Sequence, residues 1–216
     1  MFKRFMKSIS AIVLALILLI PNASLAAERD KHLSAEQVFT EKELLRIEKE
    51  VEQKELEFDK LGERKGLSIS AKLSGTYPRR KGAILVTKDK FKGIIPTGHA
   101  AIVYSHGTVV ESLGEGVITG KNDWYETRKT CYGLTVKGTT ISEDEQAANW
   151  CYRQIGKPYN WNYLNSSTRD KFYCSQLVYA AFLDNFGINL DTSDFGAAVH
   201  PMELVNSNNT SLLYEK

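Results

Sequence analysis

Between Gly82 and Val136 the chain reads as strand after strand, and after Val136 mostly as helix, a segregation that points to the α+β class. Residues 82–87, 99–104, 108–112, 117–119 and 132–136 are short runs rich in β-branched or aromatic residues, set off by glycine and charge. Ser105-His106-Gly107 is a tight turn that makes a hairpin of the second and third runs. Residues 123–128 read as a helical turn before the last run. A helix is then expected with Ser142 and Glu145 as its capping box and Ala147, Ala148, Trp150, Cys151 and Ile155 inward, ending at Gly156. Residues 157–169 are a loop rich in aromatics and asparagine. The last strong helix is 174–186, with Leu177, Val178, Ala181 and Phe182 inward and Gly187 as its C-cap. The tail from Ile188 is expected to be irregular, with a short strand near its end.

The N-terminal third is different. Lys3, Arg4 and Lys7 precede an apolar run over 9–20, then Pro21 and the small-residue site Ser24-Leu25-Ala26. That order is a secretory signal peptide with cleavage after Ala26. The run falls short of the roughly 20 apolar residues of a membrane span; an uncleaved anchor is the alternative. No cysteine follows the run, so anchoring through a lipidated cysteine is not expected. Taking those three cations from the formal +2 leaves about −1, so no global field recruits nucleic acid. Residues 27–66 are dominated by Glu, Lys, Arg, Gln and Leu. Ser34 with Gln37 is a capping box, and Val38, Leu44, Leu45, Ile47, Val51, Leu56, Phe58 and Leu61 form an imperfect apolar stripe. One helix over 34–61, whole or broken, follows from this. It is either packed on the domain, a spacer, or an oligomerising or wall-spanning arm. The division expected is therefore 1–26 signal, 27–66 charged helical segment and 67–216 globular domain. Arg79-Arg80-Lys81 is a solvated turn or a contact with an anionic polymer or headgroup.

Three cysteines are too few for a disulfide-stapled scaffold. Cys131 and Cys151 either pair, leaving Cys174 free, or remain small buried thiols, the reading preferred here. The four histidines are scattered without zinc-ligand spacing, so no metal is expected.

Cys174 opens an apolar-periodic helix, His99 opens a strand, and Glu111 ends the next strand run twelve residues on. A thiol at a helix N-terminus, an imidazole on a strand and a carboxylate beside it are the parts of a cysteine nucleophile site. The helix dipole favours negative charge at Cys174, and its own N–H is one of the first-turn donors able to face an oxyanion. Glu111 would hold the tautomer of His99 and stabilise its charged form. Glu115 competes for that place if the register differs. His106 and His200 default to structural or exposed roles. Tyr159, Trp161, Tyr163, Trp124 and Tyr125 are candidates for a substrate groove or for the core. Tyr173 either adds a phenolic donor to the oxyanion region or packs beneath the helix.

Gly156-Lys157-Pro158-Tyr159-Asn160-Trp161, then Tyr173-Cys174-Ser175-Gln176-Leu177-Val178 and Gly187-Ile188, resembles the cysteine region of the NlpC/P60 peptidase superfamily. Usual members place the cysteine before the histidine; here His99 comes first, which resembles the circularly permuted branch of YiiX/YebB-like proteins. A remoter likeness is to the lecithin–retinol acyltransferase group. The resemblance spans residues 82–188, about half of the chain. It implies a papain-like fold, a small antiparallel sheet against the helix bearing Cys174, and a thiol hydrolase needing no cofactor. It also implies Glu111 as the orienting residue, and a substrate amide in peptidoglycan stem peptides, at γ-D-glutamyl bonds. With the signal peptide, the expected location is secreted or in the cell envelope, with membrane contact only through that peptide. Two alternatives stay open: a thiol amidase or acyltransferase acting on lipid or other acyl substrates, and a non-catalytic wall-binding module. The oligomeric state is not fixed by the sequence.

Overall fold

A computed structural model describes residues 32–64, 75–89 and 98–216. The expected signal peptide and the expected boundary at Leu67 lie outside the described residues. Two helices lead: α1 (Ala35–Val38) and α2 (Glu41–Arg64). The sheet follows as β1 (Ile84–Thr87), β2 (His99–Ser105), β3 (Thr108–Leu113) and β4 (Gly116–Lys121), then the single turn α3 (Trp124–Thr127) and β5 (Tyr132–Val136). Helices α4 (Ile141–Tyr152), α5 (Cys174–Phe186) and α6 (Pro201–Asn206) precede the closing strand β6 (Thr210–Glu215). The strands form one antiparallel sheet in the order β4-β3-β2-β1-β5-β6.

Side chains alternate across a strand, so the apolar runs divide between two faces. Ile84, Val86, Ala100, Ile102, Val110 and Leu134 face the main core, where α4, α5 and α6 pack. Ala83, Leu85, Ala101, Val103 and Val109 face a smaller cluster closed by Trp124, Cys131 and Tyr214. Cys131 and Cys151 therefore belong to clusters on opposite faces, and all three cysteines are free and buried. The disulfide reading is thereby excluded.

The N-terminal charged segment is broken between α1 and α2. The Ser34–Gln37 capping box forms as expected. Phe39 then turns inward, its ring edge-on to Tyr163 and Phe195 at 5.3 Å and to His200 at 5.0 Å. Helix α2 resumes and buries Ile47 and Val51. Its polar side chains clasp the domain: Arg46 pairs with Asp194 at 2.6 Å, and Lys54 donates to the carbonyls of Val205 and Ser207 at 2.6 Å. Burial and the charge of Lys137 lower the Lys54 ammonium to about 8. Packing on the domain is thus the reading that holds for the described part of this segment.

Three local expectations are corrected. The cap of α4 is Thr140 with Glu143, two residues before the expected Ser142–Glu145 pair; the Thr140 N–H donates to the Glu143 carboxylate at 2.7 Å. The tail is not irregular throughout, because α6 forms with Pro201 at its first turn and His200, fully buried, as its cap. The basic turn is stapled rather than solvated: Arg80 pairs with Asp144 at 2.7 Å, Lys81 lies 4.1 Å from the Tyr104 ring centroid, and Arg79 stacks over Tyr125. The C-cap of α5 is as expected, with Gly187 in the left-handed region at φ 68°.

Candidate active site

The site forms where the first residue of β2 meets the first residue of α5. His99 pairs with Thr87 on β1, and β3 lies on the other side of β2. Glu111 is the cross-strand partner of Ala101, so it sits diagonally from His99 on the same face of the sheet. A long side chain spans that diagonal, and the Glu111 Oε2 to His99 Nε2 distance is 2.6 Å. Glu115, exposed in the β3–β4 turn, is not the partner. With Nε2 committed to Glu111, Nδ1 is the nitrogen left to meet the thiol, and Cys174 is a hydrogen-bond partner of the imidazole.

Both side chains are buried, with Cys174 1% and His99 2% exposed. Burial pulls the imidazolium down, but the hydrogen bond and charge of Cys174, and then those of Glu111, outweigh it and raise His99 to about 9. The protonated ring is therefore the stable form near neutral pH, which is the partner a thiolate requires.

The nucleophile is held from both sides of its helix start. The Tyr173 N–H donates to Gln176 Oε1 at 3.1 Å, and that oxygen also accepts from Asn160 Nδ2 at 2.9 Å. Gln176 Nε2 reaches the carbonyls of Ser166 and Thr168, tying the 157–169 loop to the first turn of α5. Ser175 Oγ donates to the Val199 carbonyl at 2.6 Å. Ser112, next to Glu111 but on the opposite face of β3, donates to the Phe172 carbonyl at 2.6 Å. One strand therefore orients the histidine and also pins the backbone two residues before the cysteine.

The four residues expected to contact substrate are all buried. The Tyr173 hydroxyl donates to the Tyr163 carbonyl at 3.2 Å and accepts from the Val199 N–H at 3.0 Å, so it packs beneath the helix. Of the two places expected for Tyr173, packing beneath the helix is the one the structure shows, and its place as an oxyanion donor is set aside. Trp124 is buried and stacks on His99, with ring centroids 5.4 Å apart at 28°. Tyr159 packs on Trp161 at 4.5 Å. Its hydroxyl lies 3.5 Å from that of Tyr163, and burial, with the charges of Tyr163 and Cys174, keeps the phenol protonated far above neutral pH. It is an O–H donor within the electrostatic reach of the thiol.

Two residues were missed by sequence reasoning. Ser112 carried no signal, since one serine in a strand is common. Gly120, in β4, packs under the Glu111 carboxylate: a Cβ there would lie 1.9 Å from Oε1. A glycine inside a strand pattern is itself a sign of such close approach. Among the described residues, no group of three or more His, Cys, Asp or Glu side chains is placed to hold a metal ion.

Known proteins are similar to this chain in fold or in sequence. The metalloprotein yiiX of Escherichia coli O157:H7 has a similar fold, with a TM-score of 0.53 at 14% identity, covering 65% of this chain and 99% of that one. The uncharacterized protein YycO of Bacillus subtilis (strain 168) is 28% identical over 174 residues, which is 76% of this chain and 69% of YycO. The model of the permuted papain-like amidase enzymes matches residues 80–209, a span that includes His99, Glu111 and Cys174. The chain belongs to the permuted papain-like amidase family, YaeF/YiiX or C92, and is a cysteine hydrolase of the amidase and peptidase class.

Proposed function

We propose that this protein is an exported thiol amidase acting through Cys174, His99 and Glu111, with peptidoglycan stem peptides as substrate. The observation that carries the catalytic part is the buried imidazole held between the Cys174 thiol and a carboxylate 2.6 Å away. In this reading the Cys174 thiolate attacks an amide carbonyl, and the oxyanion is met by the Cys174 N–H and the Tyr159 hydroxyl. His99 Nδ1–H then protonates the departing amine as the C–N bond breaks, leaving a thioester. Water adds to that thioester with Nδ1 as its base; the carboxylic acid leaves, and the proton returns to the thiol–imidazole pair. Glu111 holds Nε2–H throughout and balances the imidazolium.

The choice of peptidoglycan rests on the signal-peptide reading of residues 1–26, with the resemblance of the Cys174 and His99 motifs to NlpC/P60 peptidases. Outside the cytoplasmic membrane, stem peptides are the abundant amide polymer. Purified peptidoglycan treated with wild-type protein and with Cys174→Ala, followed by mass spectrometry of released muropeptides, tests it. New stem-peptide fragments that vanish in the variant are expected. No fragments, with Cys174 still alkylated rapidly near pH 7, would turn the search to lipid or other acyl amides. No fragments and a sluggish thiol would leave a binding module.

A further inference from the structure

The catalytic reading leaves the single turn α3 unexplained. Four residues make a poor platform on their own, yet this turn is locked firmly. The Tyr77 hydroxyl accepts from the Trp124 N–H at 3.2 Å and donates to Asn122 Oδ1 at 2.6 Å. Asn122 in turn donates through Nδ2 to the His106 carbonyl at 3.2 Å and through its backbone N–H to the Gly107 carbonyl at 3.1 Å. His106 and Gly107 form the tip of the β2–β3 hairpin, the same hairpin that carries His99 and Glu111. Lys216 Nζ fastens the far end of the turn, donating to the carbonyls of Tyr125 and Arg128 at 2.8 and 2.7 Å. The product of all this is one buried indole, 2% exposed, with His99 stacked on it and the Arg128 guanidinium carbon 5.0 Å from its centroid.

We propose that Trp124 is a positioning residue for His99: its locked indole fixes the plane of the imidazole so that Nε2 stays on Glu111 and the other nitrogen stays on Cys174. Once Nε2 is bound to Glu111, the ring's main remaining freedom is to pivot about that bond, and a pivot carries Nδ1 away from the sulfur. The indole plate blocks the pivot. Its π face also attracts the ring in its charged form, so the same contact supports the imidazolium. The ionisable groups meeting the imidazole are Glu111 from β3 and Cys174 from α5, with Arg128 behind the indole.

This proposal rests on the reading of Cys174 and His99 as the reactive pair, and the test separates the two. In the full-length protein, the rate of alkylation by iodoacetamide is measured from pH 5 to 10. The signal reports Cys174, since burial holds Cys151 well above the ordinary thiol range and raises Cys131 to about 12; Cys174→Ala gives the background. Trp124→Leu is expected to slow alkylation at pH 7 about tenfold and to move the pH profile of the rate to higher pH. Trp124→Phe, which keeps a π face, restores the rate to within about threefold of wild type. Tyr77→Phe, which removes only the hydroxyl lock, slows it in the same direction by a smaller factor, and keeps the test sound if the leucine variant fails to fold. A wild-type profile in Trp124→Leu, or equal slowing in the leucine and phenylalanine variants, would overturn the proposal and leave Trp124 as packing. A wild-type thiol no faster than free cysteine would overturn the underlying Cys174–His99 reading and this proposal with it.

Discussion

Gly120→Ala should disconnect Glu111 from His99 without altering either residue. Gly120 lies outside the left-handed region, so its backbone accepts alanine, and the conflict is purely one of space. The new methyl would sit 1.9 Å from Glu111 Oε1 and 2.9 Å from the carboxylate carbon. Ordinary contact requires a retreat of about 1.5 Å. The carboxylate has Gly120 on β4 at one side and His99 on β2 at the other, already at 2.6 Å, so it cannot slide toward the ring. It has to swing out of line, and a swing of that size exceeds the reach of a hydrogen bond. A hydrogen bond to a charged group contributes about 1.5–3 kcal/mol, which converts to roughly a 10- to 150-fold loss in rate. Cys174 alkylation at pH 7 and release of muropeptides measure the loss, with a thermal melt to confirm folding. Glu111→Gln on the Gly120→Ala background should add little, because both changes act on one interaction. Wild-type rates in Gly120→Ala, with folding intact, would refute the argument that Glu111 must stand in line with His99.

Phe39→Ala removes a ring that meets Tyr163, Phe195 and His200 and should cost about 3–5 kcal/mol. For a chain of this size that lowers Tm by roughly 10 °C, read by circular dichroism. Ser112→Ala removes the hydrogen bond to the Phe172 carbonyl, which still accepts from the Asn160 N–H, so a loss of only about 1 kcal/mol is expected in urea unfolding. His99 is raised above its unfolded value by Cys174 and Glu111, from 6.5 to about 9. Its pairing therefore stabilises the fold in full below about 6.5, and this contribution fades as pH rises through about 9. The stability advantage of wild type over His99→Gln, measured by denaturant unfolding, should shrink across that window; an advantage that grows would contradict the sign.

What the sequence made legible was local and periodic. The β-branched runs became the strands of one sheet, and Phe182 and Gly187 placed the inward face and the end of α5. His99 and Cys174 stood out because each opens an element, and Glu111 because it is a carboxylate in the next strand run. What escaped was non-local or chemically ambiguous. Helix α6 is capped by His200, a residue type outside the usual capping set, and so left no start signal. Thr140 and Ser142 offer equivalent capping boxes, and the sequence does not rank them. The aromatics near the site were weighed as groove walls because burial is decided by segments far away in the chain. Tyr173 is fixed by Val199, and Trp124 by Tyr77.

Neighbouring residues of β3 serve opposite faces: Glu111 reaches His99, and Ser112 reaches the backbone ahead of Cys174. Because strand side chains alternate, a slip of one residue in the pairing of β3 exchanges these two jobs. It would drive the carboxylate into the apolar layer under α5 and leave the serine opposite the imidazole. A misregistered chain would thus lose its base and its nucleophile mount in a single error, while burying an unpaired charge.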